Sequence, residues 1–176
     1  MYRPSEDSFF LAECAKCYCG NLALEIGVGS GIIMNAIAQN FNNVVGTDLD
    51  YKSLQHYKSN LPDNAALVCC DTASALSVKF DFIVTNPPYL PDHDKRNKDN
   101  TIDGGPTGIE ATLHFIQSAI PVLQIQGKIL TIISSLSDKR KMDEYLTALN
   151  LKMRIIKVRK LFFEILSVVE ITLTIA

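Results

Sequence analysis

Absences narrow this sequence before any motif does. No apolar run approaches the roughly 18 residues that a membrane-spanning helix needs. Met1 to Glu13 carries Arg3, Glu6, Asp7 and Glu13 where a secretion signal would hold an apolar core, so a cytoplasmic location is expected. A basic excess is missing too: 17 Lys and Arg stand against 19 Asp and Glu for a net charge of -2, which disfavours tight non-specific binding to nucleic acid. His56, His93 and His114 recur at no ligand or triad spacing. Cys14, Cys17, Cys19, Cys69 and Cys70 make an odd number without a secretion signal, and reduced thiols are the default. The first three could imitate half a zinc site, but the order of elements places them where a sheet begins and Cys70 at its opposite end, so no metal is expected. No internal repeat, low-complexity tract or linker divides the chain.

What is present suits one domain spanning residues 1–176, with no separate substrate-recognition domain. At 176 residues and 47% hydrophobic composition, such a chain can bury about 68–70% of its unfolded surface without staples. Ser5 can cap a first helix whose opening turn holds Glu6 and Asp7, acids favoured there by the helix dipole. Leu22 to Ile26 reads as a strand, followed by the glycine turn Gly27-Val28-Gly29-Ser30-Gly31 and an apolar helix from Ile32 to about Gln39. Asn43 to Thr47 is a second strand ending at Asp48. Asp50 can cap a helix over Tyr51 to Ser59, and Ala65 to Cys70 is a third strand ending at Asp71. Ala73 to Ser77 is a short connection, and Phe80 to Val84, apolar except at Asp81 and with little alternation, is a fourth strand buried on both faces.

The segment from Leu90 to Pro106 is polar and long for a loop in a compact domain, which predicts a lid. Pro106 and Thr107 open a helix to about Gln124, Lys128 to Ser134 is a fifth strand, and Ser137 can cap a helix over Asp138 to Leu149. Leu151 to Leu161 and Phe163 to Ile175 are rich in β-branched residues and predict an antiparallel hairpin. The whole is expected to be a doubly wound α/β fold: a seven-stranded, mostly parallel sheet with that hairpin at its C-terminal end. Ligands of such sheets bind at the carboxyl ends of the strands, where Gly27 to Gly31, Asp48, Asp71 and Asn86 all fall.

The glycine turn permits close backbone approach and presents a helix N-terminus. It fits a dinucleotide poorly, because the sixth position of G-x-G-x-x-G is Ile32 and the third glycine comes early, at Gly31. Glu25, Gly27, Gly29 and Gly31 instead resemble the first motif of the class I S-adenosylmethionine-dependent methyltransferases, a Rossmann-like family. Asp48 then stands where an acid accepts both ribose hydroxyls; otherwise it is a turn residue. By the same resemblance Asp71 meets the adenine amino group; its plainer reading is a helix cap before Thr72.

Asn86-Pro87-Pro88-Tyr89 follows the fourth strand. Asn86 precedes a proline and is biased to extended geometry, and Pro87 and Pro88 carry no N–H, so the backbone offers acceptors with few competing donors. The stretch resembles that of amino-methyltransferases acting on a nitrogen conjugated to a π system. Such a nitrogen is a poor nucleophile, and the site must hold its NH2 in line with the methyl donor and accept its hydrogens. The Asn86 side-chain oxygen and the Pro87 carbonyl are the expected acceptors. Tyr89 is expected to pack on the flat substrate group, against the alternative of a core aromatic at a strand end.

Tyr2-Arg3-Pro4-Ser5-Glu6-Asp7-Ser8-Phe9, the glycine turn, Asn86-Pro87-Pro88-Tyr89-Leu90-Pro91, and Asp103-Gly104-Gly105 with Gly108 together resemble the HemK/PrmC protein glutamine methyltransferases. The likeness is to the short archaeal and eukaryotic branch, which modifies the glutamine of the Gly-Gly-Gln motif in class 1 translation release factors. It implies that Pro4 to Ser8 border the donor pocket and that Asp103 to Gly108 help to close it. Ser8 stands where threonine is common in the family. The resemblance also implies a small zinc-containing activator bound along an exposed sheet edge, which here would be Ala65 to Cys70; the alternative is a strand shielded by its own helices. A rival reading is a nucleic-acid methyltransferase acting on adenine or guanine amines. Lys152, Arg154, Lys157, Arg159 and Lys160 make its only basic strand, and alternation favours a solvated face there.

Overall fold

Seven strands and five α-helices alternate along the chain in a computed structural model that describes residues 6–90 and 104–174. The strands are β1 (Gly20–Ile26), β2 (Phe41–Asp48), β3 (Ala65–Cys69), β4 (Phe80–Thr85), β5 (Leu123–Ser134), β6 (Leu151–Lys160) and β7 (Ile165–Leu173), and the helices are α1 (Glu6–Ala15), α2 (Ile32–Ile37), α3 (Tyr51–Tyr57), α4 (Glu110–Ala119) and α5 (Lys139–Ala148). They form one sheet in the order β3-β2-β1-β4-β5-β7-β6. The first five strands pair in parallel, and β7 runs antiparallel to both β5 and β6. This is the expected doubly wound sheet with a C-terminal hairpin. None of the helices among the described residues is long and apolar enough to cross a membrane.

The sheet is covered on both faces, and alternation along its strands sorts the core into two layers. Ala23, Phe82, Val84, Leu130 and Ile132 face Phe10 and Leu11 of α1 and Met34 and Ile37 of α2. Leu24, Ile26, Ile83 and Ile129 face Ile116 of α4 and Met142 and Leu146 of α5. Phe80 and Phe82, two apart on β4, nevertheless lie in different layers. A register shift between them in the β4–β5 ladder breaks the alternation, and on the other side of β4 the Asp81 carboxylate accepts from the backbone N–H of Asn21 and Leu22 of β1 at 2.8 and 2.9 Å.

Several boundaries differ from expectation, and α4 opens at Glu110 rather than at Pro106 and Thr107. β5 begins at Leu123, five residues before Lys128, because its first turn of ladder pairs Leu123 with Phe80 across that same irregularity. Helix α4 accordingly ends at Ala119 and a single 3-10 turn over Ile120–Val122 carries Pro121. The cap of α5 is Asp138, whose side chain accepts from Lys141 N, and not Ser137, whose hydroxyl is engaged elsewhere. The Asp50 cap of α3 is as expected, with its carboxylate accepting from Lys52 N. Tyr2 to Ser5, residues 91–103 and therefore the body of the expected lid lie outside the described residues.

Candidate functional site

The carboxyl end of β1 runs straight into the glycine turn. Gly27, Gly29 and Gly31 have φ of 82°, 51° and 76°, a region costly for any residue with a Cβ. At Gly31 the requirement is doubled, because a Cβ would stand 2.1 Å from Cε2 of Tyr57. The Tyr57 ring of α3 lies against the turn, with its hydroxyl donating to Asn35 Oδ1 at 2.7 Å. Asp48, half-buried at the end of β2, accepts from Gly29 N at 2.8 Å through one oxygen and from Asp50 N at 2.9 Å through the other.

Glu25 is buried beneath the turn, and its Oε2 has no hydrogen-bond partner among the described residues. Burial pushes its carboxyl well above the ordinary carboxylate range; a hydrogen bond with the Met34 backbone opposes the rise, and the Asp48 charge adds to it. Glu25, Gly27, Gly29, Ser8 and Asn86 line one narrow cavity. A buried, partnerless acceptor of this kind is the exception that needs a ligand or water to explain it.

Asn86 reaches that cavity from β4. Thr85 donates its hydroxyl to Ile26 O at 3.0 Å, tying the ends of β4 and β1 together. The Asn86 amide is then oriented by α1: Nδ2 donates to Asp7 Oδ2 at 3.2 Å and to Ser8 Oγ at 3.3 Å. A carboxylate can only accept, so the amide oxygen is turned away from it. That oxygen, Oδ1, is buried and has no hydrogen-bond partner among the described residues. Asp7 also accepts from the Tyr89 hydroxyl at 3.2 Å and from Ser8 N at 2.6 Å. Pro87 is buried and Pro88 half-buried. The Tyr89 ring packs against the core layer under α1 and α2, and its carbonyl accepts from Ser137 Oγ at 3.0 Å. Gly104 lies so close that a Cβ there would be 2.9 Å from Tyr89 Cα.

Glu25, the glycine turn, Asp48 and Asn86 are thus brought together. Asp71 stands at the rim, exposed, 3.3 Å from His114 Nε2 of α4. No helix follows it, so it caps none; Thr72 and Ala73 are held instead by Ser118 Oγ. The resemblance placed Asp7 among the residues bordering the donor pocket, but its hold on Asn86 shows only in its burial there. Two other neighbours carried no chemistry in the sequence. His114 and Ser137 stand far in sequence from what they touch, and no local pattern marks them.

On α4 and α5, Glu110 accepts from Lys141 Nζ at 2.7 Å and from Thr107 Oγ1 at 2.7 Å. Burial alone would raise its carboxyl, but these donors prevail and hold it at about 2. The pair fixes the turn through Gly104 to Gly108 against α5, on the Tyr89 side of the site.

Similarity to known proteins accords with this geometry. The sequence matches the methyltransferase small domain over residues 6–163. It is 31% identical to a candidate protein N5-glutamine methyltransferase of Methanocaldococcus jannaschii, over 97% of this chain and 90% of that protein. It is 32% identical to the release factor glutamine methyltransferase of Bradyrhizobium diazoefficiens over 70% of this chain, and spans only 47% of that longer protein. Its backbone superimposes with a TM-score of 0.79 at 24% identity, over 98% of each chain, on a structure of the E. cuniculi Mtq2-Trm112 complex, described as methylating the translation termination factor eRF1.

Proposed function

The chain belongs to the methyltransferase small domain family, and from that premise we propose that it is an S-adenosylmethionine-dependent protein-glutamine N-methyltransferase. Its substrate is the glutamine of the Gly-Gly-Gln motif in a class 1 translation release factor. The observation that carries the reading is Asn86 Oδ1: a buried acceptor that, like Glu25 Oε2 in the same cavity, has no partner among the described residues, and that Asp7 and Ser8 aim through the amide nitrogen.

The residues present fit the cofactor. Glu25 offers an acceptor to its ammonium group, the turn at Gly27, Gly29 and Gly31 admits its backbone approach, Asp48 offers oxygens to ribose hydroxyls, and Asp71 offers one to an amino group at the rim. When bound, S-adenosylmethionine supplies an electrophilic methyl group. The remaining work belongs to the protein. Asn86 Oδ1 and the Pro87 carbonyl accept the two hydrogens of the substrate carboxamide NH2, holding it in plane. Because these acceptors favour positive charge on nitrogen, they bring back the lone pair that conjugation withdraws. Alignment itself is worth on the order of 7–11 kcal/mol. No general base is required, since the alkylated nitrogen is acidic enough to release its proton to water. Tyr89 places an aromatic face beside the amide and is steadied by Asp7.

A base amine is the competing acceptor, and the charge arrangement disfavours it. Of the basic residues on β6, Arg154 pairs with Glu170, and Lys157 and Arg159 both pair with Glu13, so they are partly spent within the fold and phosphate binding would have to compete. We further propose that a small, zinc-containing activator pairs along β3, the edge strand, whose Ala65, Leu67 and Val68 remain only half-buried. Labelled-methyl transfer, with and without such a partner, tests the whole: wild-type release factor takes label, its Gly-Gly-Gln→Ala variant does not. Label on tRNA or DNA with none on the factor would overturn the substrate.

A further inference from the structure

A primary carboxamide is the same on every glutamine, so contacts around Asn86 cannot choose one protein from another; selection requires surface beyond the reacting group. The sheet provides such a surface at the right end. Because β7 is antiparallel to β5, with Ser134 opposite Leu166, the tip of the β6–β7 hairpin lies at the carboxyl end of β5, the same end as Asn86. At that tip Phe162 and Phe163 are 92% and 84% exposed and stack edge to face with centroids 4.7 Å apart. Exposed aromatics paired in this way are uncommon without a partner.

The tip is not loose. Leu161 N donates to Glu164 O across the turn, Ser134 Oγ donates to the Glu164 carboxylate, and Ser135 N donates to Ile165 O. Three residues on, Ser137 holds the Tyr89 carbonyl. One short loop thereby joins the tip to the Asn-Pro-Pro-Tyr stretch. Between them lies a cavity of about 270 Å³, with Ile109, Ile133, Met142, Met153, Ile155 and Ile165 in its lining and Ser137 at its wall. It is smaller than the roughly 300–1,000 Å³ of small-molecule sites and suits an apolar side chain.

We propose that the hairpin tip and this cavity form the docking surface for the substrate protein, taking apolar side chains that flank the loop bearing the target glutamine. The surface rests on the glutamine methyltransferase reading and adds to it the source of protein selectivity. Phe162 and Phe163 are anchors that rigid, exposed aromatics commonly supply at interfaces, and Ile155, 51% exposed, stands in the lining of the cavity.

The test compares wild type with Phe162→Ser/Phe163→Ser and, separately, Ile155→Ser, each with its activator if one is needed, on intact release factor and on a short peptide carrying the Gly-Gly-Gln motif. Truncating interface aromatics predicts a KM for the intact factor raised about tenfold or more, with kcat at saturation and the KM for the peptide changed less than about twofold. An unchanged KM for the factor overturns the docking surface and leaves the activity standing. Equal losses on factor and peptide also overturn it, as does a dimer of the wild type that dissociates in the variants while the kinetics hold. Wild type that labels no factor at all overturns the activity, and the docking surface with it.

Discussion

Asn86 is half engaged: its donors are held by Asp7 and Ser8, and its acceptor waits in a buried cavity. Asn86→Ala should therefore lower kcat by about a hundredfold or more while the dissociation constant for S-adenosylmethionine, measured by calorimetry, changes far less. Asp7→Asn tests the orientation separately. Asp7 touches no substrate in this scheme, yet loss of the carboxylate that fixes the amide among the described residues should cost about tenfold or more in kcat, with a smaller effect on KM for the factor. Glu25 carries the pH dependence. Its folded pKa is raised, so the folded state binds more protons than the unfolded one at every pH from the ordinary value of 4.5 up to the raised one, and native stability falls as pH rises through that window. Glu25→Gln should melt above wild type at pH 7 to 8, lose that advantage near pH 4, and bind the cofactor more weakly. A variant less stable than wild type at pH 7 would contradict the buried, partnerless carboxyl. The spacing of Glu25, Gly27, Gly29, Gly31, Asp48 and Asn86 was legible in the sequence because each sits at a strand end. Asp7 was legible as a helix-start acid and, by resemblance, as part of the pocket border, but its hold on Asn86 across 79 residues of sequence leaves no local mark.

At the scale of elements, the glycine turn and α3 are built around one ring. Gly31→Ala must move Tyr57 as well as adopt a left-handed backbone, and should destabilise by about 3 kcal/mol, read as a shifted urea midpoint at unchanged slope. The tie between α4 and α5 titrates. Glu110 is lowered to about 2, so its contribution is complete above 4.5 and disappears as pH falls toward 2. Lys141→Met should cost about 1 kcal/mol at pH 7, allowing for the solvent screening of a partly exposed pair, and nothing near pH 2. The strands and their order were readable because β1 and β4 are mostly apolar and the hairpin is rich in β-branched residues. The start of β5 was not. Gln124, Gln126 and Gly127 look like the end of a helix, and they fall in a strand because Leu123 pairs with Phe80 ahead of the register shift that ends at Phe82 and Lys128. The sequence offered Ser137 as the cap of α5; the Tyr89 carbonyl, distant in sequence, takes its hydroxyl and leaves the cap to Asp138.

Across the whole molecule the sheet has two edges of different character. β6 is charged, bulged between Ile155 and Lys157 and pinned by Glu13 and Glu170, features that discourage strand addition. β3 is short, apolar and regular. If an activator adds to it, amide hydrogen exchange at residues 65–69 should slow markedly on addition of the partner while β1 in the sheet centre stays as it was; unchanged β3 amides would place the partner elsewhere. The order of strands also bears on how the chain is made. β7 lies between β5 and β6, yet β6 is synthesised first. A ribosome that has delivered Leu151–Lys160 but not Ile165–Leu173 presents an unfinished sheet whose β5 edge is open, and β6 is the strand nearest to hand. Whatever provisional pairing they make must be undone when β7 arrives, so a chain cut short before Ile165 should be held by chaperones or precipitate, and the enzyme's yield should depend on how quickly translation passes its last hairpin.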